Sequence, residues 1–366
     1  MSEQTKLRVA MTMEQCWHRV PGGTAVAALR LAATLINSGI DLVGVAARHR
    51  GPPTKEWLPP MKVNHLALPR PVLYETWHRL RTPAVQRATG SVEVIHASTL
   101  AIPPKTAPLV VTIHDLAFLS YPDYFTRRGL RFFERGLALA IKEADLVLCS
   151  SEATRRHCLQ QGFAPERLRH VPLGVDHPEV TETEVSRVRD GYGLTRRYIM
   201  WTGTIEPRKN LAGLIRAFGY LDADVDLVLV GPKGWNEDLE DLVSVGKERI
   251  KPLGFVDKAD LTALYAGADV FCYPSHMEGF GFPVLEAMAQ GTPVVTSLGT
   301  STQELAAEAG VLVDPRDPQS IAGGIRAVLE DERFSEKLAA AGRTRASEYS
   351  WERTAGLVIN AYRDVT

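Results

Sequence analysis

The chain has 366 residues, 45% hydrophobic and 23% charged, an ordinary globular composition that excludes a fibrous or largely disordered protein. Its length predicts two domains, each large enough to bury its own core. Forty-two Lys and Arg oppose 43 Asp and Glu, so no global charge draws the chain to nucleic acid, and affinity for an anionic membrane must come from a local patch.

Met1 to Lys6 is polar and leads into the short run Leu7–Met11, which lacks the length of a signal peptide; no uncharged apolar stretch reaches the roughly 20 residues of a membrane span. The expectation is a soluble cytoplasmic protein, at most in contact with the inner face of the plasma membrane. Apolar runs bounded by turn residues follow: Leu42–Ala46, Val92–His96, Leu109–Ile113 and Leu146–Cys149, then Tyr198–Trp201, Leu227–Val230, Ile250–Leu253, Val270–Tyr273, Pro293–Thr296 and Val311–Val313. Alternating with helical patterns, they predict buried strands of two doubly wound parallel α/β sheets. The segment His170-Val-Pro-Leu-Gly-Val-Asp-His-Pro178 interrupts the rhythm and divides the chain into residues 1–172 and 173–349. Beyond Asp317 the pattern is helical. Tyr349-Ser-Trp-Glu352 opens a last helix, about 350–366, too short to be a domain. Cys16, Cys149, Cys158 and Cys272 form no Cys-x-x-Cys pair and read as buried thiols, with neither a disulfide framework nor structural zinc.

The most informative stretch begins at Ser275 and carries Glu278, Gly279, Phe280, Gly281, Pro283 and Glu286. A strand ends, a glycine loop turns, and a helix opens with proline where a missing N–H costs least. The helix N-terminus then favours an anion, while Glu278 and Glu286 can accept hydrogen bonds from hydroxyls. Phosphate beside vicinal hydroxyls describes a nucleotide sugar. The plain alternative makes Glu286 a solvated helix residue and Glu278 a loop carboxylate. A second strand-to-helix turn, Trp201-Thr-Gly203-Thr-Ile-Glu206-Pro-Arg208-Lys209-Asn210, offers a guanidinium and an ammonium to a diphosphate leaving group without a metal. Against it stands a solvated cap, although cations at a helix start oppose the dipole.

In the first half, Gly22 and Gly23 precede a helix over about Thr24 to Asn37 and allow close backbone approach, or only a tight turn. Neither G-x-G-x-x-G nor a P-loop pattern occurs. His114 and Asp115 follow the strand Leu109–Ile113 at its carboxyl end, where such sheets place ligands; a core histidine held by backbone is the alternative, and His96 is the next candidate. No Asp, His or Cys cluster has metal-ligand spacing; Asp115 and Asp145 stand isolated. In Tyr124–Gly136, a helix would align Arg127, Arg131 and Arg135 in a stripe with Arg128 beside it and Phe132 and Phe133 off it, although Gly129 and Gly136 weaken the helix. That stripe suits an acceptor phosphate or inner-leaflet headgroups, or is a solvated face balanced by Glu134 and Glu143.

With these motifs assembled, the chain resembles the retaining glycosyltransferases of family four over nearly its whole length: the E-x7-E motif Glu278–Glu286, the E-x-R-K-N turn Glu206–Asn210, Gly22-Gly23, His114-Asp115 and Tyr349-Ser-Trp351. The resemblance implies the GT-B fold, two Rossmann-like domains facing a cleft, with acceptor bound by the first, donor by the second and the last helix crossing back to the first. It implies that Arg208 and Lys209 hold the diphosphate, Glu286 the ribose, Glu278 the donor hexose, His114 the hexose near its 6-hydroxyl, and the backbone at Phe255-Val256 the base. Gly22, Gly23, Gly203, Gly279, Phe280 and Gly281 join them as donor-binding candidates. Leu173 stands where many relatives have Asn. The implied reaction retains anomeric configuration, with the departing diphosphate taking the acceptor proton and no cofactor or metal needed. Motif style resembles bacterial mannosyltransferases of surface-polysaccharide assembly, implying GDP-mannose and a glycan or lipid-linked acceptor, with UDP-hexoses open. A nucleotide-sugar epimerase, a glucan synthase and a non-catalytic donor-binding module are the competing readings.

Overall fold

The structure is a computed structural model that describes residues 6–222, 224–232 and 248–366. It divides into two compact units, one comprising the chain up to Gly174 together with Ser350–Thr366, the other Val175–Tyr349. In the first unit, β1 (Arg8–Thr12), β2 (Asp41–Ala46), β3 (Val63–His65), β4 (Val94–Ala97), β5 (Leu109–Ile113), β6 (Leu146–Cys149) and β7 (Leu168–His170) form one sheet in the order β3-β2-β1-β4-β5-β6-β7. Every pairing is parallel. The central strands are buried along nearly their whole length, which is why they read as apolar runs. The two edge strands, three residues each and partly exposed, carry no such run and escape a reading by hydrophobicity.

The second unit repeats the topology. β8 (Arg197–Thr202), β9 (Val225–Val230), β10 (Ile250–Gly254), β11 (Val270–Tyr273), β12 (Val294–Ser297) and β13 (Gly310–Val313) form a parallel sheet in the order β10-β9-β8-β11-β12-β13. In both sheets the strand order reverses beside the first strand of the unit, between β1 and β4 and between β8 and β11. Loops leaving those strands at their carboxyl ends diverge and leave a crevice.

The last helix, Trp351–Val365, belongs to the first unit. Trp351, Thr354, Ala355, Val358, Ala361 and Tyr362 are its buried positions, the spacing of one helical face. Tyr362 Oη lies 2.7 Å from His96 Nδ1, and His96 Nε2 lies 2.7 Å from Thr112 Oγ1. His96 is therefore a fully buried tie inside β4, and burial pushes its imidazole down to about 3. This corrects its reading as a second ligand candidate: both ring nitrogens are occupied by the protein. All four cysteines are buried.

The arginine-bearing segment is helical over Arg127–Glu143, capped by Thr126, whose side chain accepts from Gly129 N. Gly136 is there because a Cβ would collide with the Leu100 carbonyl oxygen. Tertiary contact thus outweighs the roughly 1 kcal/mol that glycine costs a helix. Arg127, Arg128 and Arg131 are exposed, but Arg135 forks onto Glu75 at 3.0 and 3.2 Å. The counter-charge is neither Glu134 nor Glu143, since Glu143 pairs with Arg81 at 2.5 Å. Phe132 stacks on His78 and Phe133 on Phe118, so the aromatics are packed and do not flank the stripe as open surface.

Candidate active site

In the second unit, the loops after β8 and β11 come together at the strand-order reversal. Gly203 takes φ +151°, and its carbonyl leaves no room for a Cβ at Gly231, so two backbones approach closely here. The single turn Pro207–Lys209 ends at Asn210, which adopts φ 55° as the residue before the helix Leu211–Phe218. Asparagine is one of the few side chains that tolerates this region. Asn210 Nδ2 donates to the Pro274 carbonyl at 2.9 Å and the Pro315 carbonyl at 2.6 Å. His276 N donates to the Arg208 carbonyl at 2.9 Å, which ties the two loops together a second time.

Glu278 is buried where they meet. Lys209 Nζ donates to Glu278 Oε1 at 2.7 Å, and Arg208 Nη1 to Glu278 Oε2 at 3.0 Å. Arg208 Nη2 donates to Glu206 Oε1 at 2.6 Å, while Lys209 Nζ also lies 2.5 Å from Tyr273 Oη. Burial opposes the charge on Glu278, but the Lys209 and Arg208 cations outweigh it and hold the carboxyl at about 2. Burial likewise lowers the Lys209 ammonium, with Glu278 opposing. Two cations and two carboxylates therefore neutralise each other. Two such cations with both partners removed would be costly in so sheltered a place, about 3–5 kcal/mol for a broken buried pair, so an arriving diphosphate must replace carboxylate contacts.

Gly281 takes φ 115° at the mouth of the helix Phe282–Gln290, and Thr302 closes the space where its side chain would be. Ser301 Oγ lies 2.8 Å from both the Glu278 and Phe280 carbonyls and fixes the loop from beneath. Glu286 stands in the opposite environment to Glu278. Burial raises its pKa, and its partner is a phenol, Tyr265 Oη donating to Oε2 at 3.0 Å. A carboxylate held by one neutral donor keeps its remaining lone pairs for ligand hydroxyls. Phe255, next to Gly254 at φ 69°, is 72% exposed while Val256 is buried, so one ring is presented and its neighbour anchors it.

In the first unit, His114 leaves β5 half-buried. Its carbonyl accepts from Ser150 Oγ at 3.1 Å and Thr154 Oγ1 at 2.9 Å. Burial lowers its pKa, with Asp115 opposing, which favours a neutral hydrogen-bonding group over a charge. Gly22 takes φ 64° and begins the helix Gly22–Asn37, two residues ahead of the expected Thr24. Among the described residues no group of three His, Cys, Asp or Glu could hold a metal ion, and no helix is long and apolar enough to cross a membrane.

Sequence reasoning quoted Glu206 and Asn210 only as the ends of the E-x-R-K-N turn and gave them no role in the site, and it did not single out Tyr265, Tyr273 or Ser301 at all. Asn210 was legible in principle, as an asparagine at a turn into a helix. The two tyrosines sit in apolar patterns and carried no signal of their polar ends.

Residues 184–345 match the family model for glycosyl transferases group 1, and residues 21–179 the model for glycosyltransferase family 4. An O-antigen chain mannosyltransferase B of Escherichia coli is 34% identical over 281 residues, covering 74% of either chain. An MMP alpha-(1->4)-mannosyltransferase of Mycolicibacterium hassiacum is 30% identical over 75% of this chain and 71% of its own. Among solved structures, Anabaena Alr3699/HepE in complex with UDP and glucose superposes with a TM-score of 0.78 at 21% identity, over 98% of this chain and all of that one.

Proposed function

The chain belongs to the family 4 glycosyltransferases of the GT-B fold, and on that premise we propose that it transfers mannose from GDP-mannose to a glycan or lipid-linked acceptor hydroxyl with retention at the anomeric carbon. The observation that carries the reading is the quartet of Glu206, Arg208, Glu278 and Lys209 at the strand-order reversal of the second sheet, two buried carboxylates held by two partly buried cations. As the diphosphate departs, Arg208 and Lys209 meet the developing charge, and the Glu278 they release accepts hexose hydroxyls. Glu286 takes the ribose, the Phe255-Val256 segment the base, and Gly203, Gly279, Phe280 and Gly281 let backbone approach the donor. Such a site works by positioning and charge stabilisation. His114 serves as a neutral hydrogen-bonding partner to substrate. The exposed Arg127, Arg128 and Arg131 offer a surface to an anionic acceptor or membrane headgroup.

The choice of mannose is supported by the names of the relatives at 34% and 30% identity. Metal plays no part in the proposed chemistry, because the two cations already face the leaving group. Turnover of GDP-mannose and of UDP-glucose, each with and without EDTA, tests all of this, with the product's anomeric configuration read by NMR. GDP-mannose is expected to be used in preference, at a rate unchanged by EDTA, giving an α-linked product. Preference for a UDP-hexose, a metal requirement or an inverted product would each overturn the corresponding part.

A further inference from the structure

The closing motif Tyr349-Ser-Trp351 has no part in the donor chemistry above, yet its tyrosine reaches the loop that carries Glu278. Tyr349 is the last residue of the second unit, and its carbonyl accepts from Val175 N, the first, at 2.9 Å. Its ring meets Phe280 edge-on, with centroids 6.1 Å apart at 63°. Phe280 is buried, and it meets Phe282 in the same way at 5.3 Å. Behind Tyr349 stands Arg345, on the helix Glu332–Ser347. Its guanidinium lies 5.1 Å from the ring centre, and Nη2 donates to Tyr349 Oη at 2.8 Å.

Arg345 reaches the same loop by a second route. Nη2 also donates to the Glu304 carbonyl at 2.8 Å and Nε to the Leu305 carbonyl at 3.1 Å, while Nη1 pairs with Glu348. Those carbonyls lie in the last turn of the short helix Ser301–Ala306, whose first residue holds the Glu278 and Phe280 carbonyls. Ala307 follows at φ 43°, a conformation that costs a residue with a side chain and persists where its neighbours fix it. One guanidinium thus braces the Phe280 ring through Tyr349 and the Phe280 backbone through Ser301. A planar fork of donors can serve all these acceptors; a lysine ammonium has no such fork.

We propose that Arg345 and Tyr349 are positioning residues, which hold the loop Glu278–Gly281 from behind and so set Glu278 toward the donor. A side chain that must sit within about 0.5 Å of its productive place depends on the packing that supports it. The inference rests on the transferase reading above for what Glu278 does, but not for how its loop is held.

The test compares Tyr349→Leu, Tyr349→Phe and Arg345→Lys in the full chain. Hydrogen exchange of the loop amides, measured without donor, reads how firmly the loop is held, and the urea midpoint reads the fold. Steady-state kinetics with GDP-mannose reads the consequence. Tyr349→Leu and Arg345→Lys are expected to speed exchange at Gly279–Gly281 and to lower kcat about tenfold, the scale of a sub-ångström misplacement. Donor KM should change far less, because Glu278 is released to the hexose only as the diphosphate departs. Tyr349→Phe keeps the ring on Phe280 and should restore most of the rate. In a Glu278→Gln background, Tyr349→Leu should cost little more, since the two act in series; if Tyr349→Leu does not fold, Arg345→Lys takes its place. Loop exchange or kcat unchanged in Arg345→Lys, or a rate loss undiminished in the Glu278→Gln background, would overturn the proposal. A wild type that transfers from neither GDP-mannose nor UDP-glucose, while loop exchange still answers to these substitutions, would instead count against the transferase reading.

Discussion

Arg208 carries two carboxylates on one guanidinium, Glu206 through Nη2 and Glu278 through Nη1. A lysine could not reproduce that fork, and an alanine would leave Glu206 buried without its partner. The neighbouring Lys209 has a different duty: its ammonium is held between Glu278 and the Tyr273 phenol, with the ring face 5.1 Å away. Replacing either cation by Ala is expected to lower turnover about tenfold to a hundredfold, the scale of losing a charge-assisted contact to a developing anion. The double variant should be worse, but by less than the product of the single effects, because the two residues share Glu278. Steady-state kinetics on the three variants check this, and wild-type turnover in the double variant would remove both from the leaving-group role. These residue types and their spacing were legible in the sequence. Their mutual neutralisation was not, since Glu278 lies about 70 positions from its partners and only the sheet brings it there.

At the scale of elements, the helix Arg127–Glu143 shows local preference and tertiary contact in conflict. Gly136 to Ala would gain roughly 1 kcal/mol of helix propensity in isolation. In the folded unit the new methyl would strike the Leu100 carbonyl oxygen, and backbone cannot turn aside as a side chain can. The expected outcome is net destabilisation of about 1–3 kcal/mol, the usual cost of overpacking, read as a lowered urea midpoint. Gly129 makes the contrast, because the atom nearest a Cβ there is the Thr126 hydroxyl at 3.2 Å. Gly129 to Ala should be close to neutral. A stabilised Gly136 variant would mean that this helix is not seated against Leu100 as described.

The whole molecule holds several imidazoles away from water. Burial, the largest influence on each, lowers His96 to about 3 and His18 and His78 to about 4, from an ordinary value of 6.5. The unfolded chain therefore takes up these protons first as pH falls, and stability declines from about pH 6.5 down to those values. Glu278 acts in the same sense lower down: its folded value near 2 lies below the ordinary 4.5, so its contribution is present above about 4.5 and is lost toward 2. Each buried histidine adds up to about 1.4 kcal/mol per pH unit to the slope. Urea unfolding at pH 7, 6 and 5 should show the decline, and His96→Gln should reduce the slope by about one proton. A midpoint independent of pH over that range would mean that these rings are solvated.

The sequence by itself determined the parallel α/β class, most central strands and the loops that carry chemistry. Strands covered on both faces are apolar throughout, and turns into helices need particular residues, so both leave local marks; β5, β6 and β11 were legible to the residue. Tertiary structure alone decided which polar groups meet. Arg135 finds Glu75, His96 is enclosed by Thr112 and Tyr362, and Glu278 is gripped by the turn after β8, all through strand order and helix packing. The edge strands β3 and β7 likewise exist because a neighbouring strand offers them hydrogen bonds, a cause that lies outside their own residues.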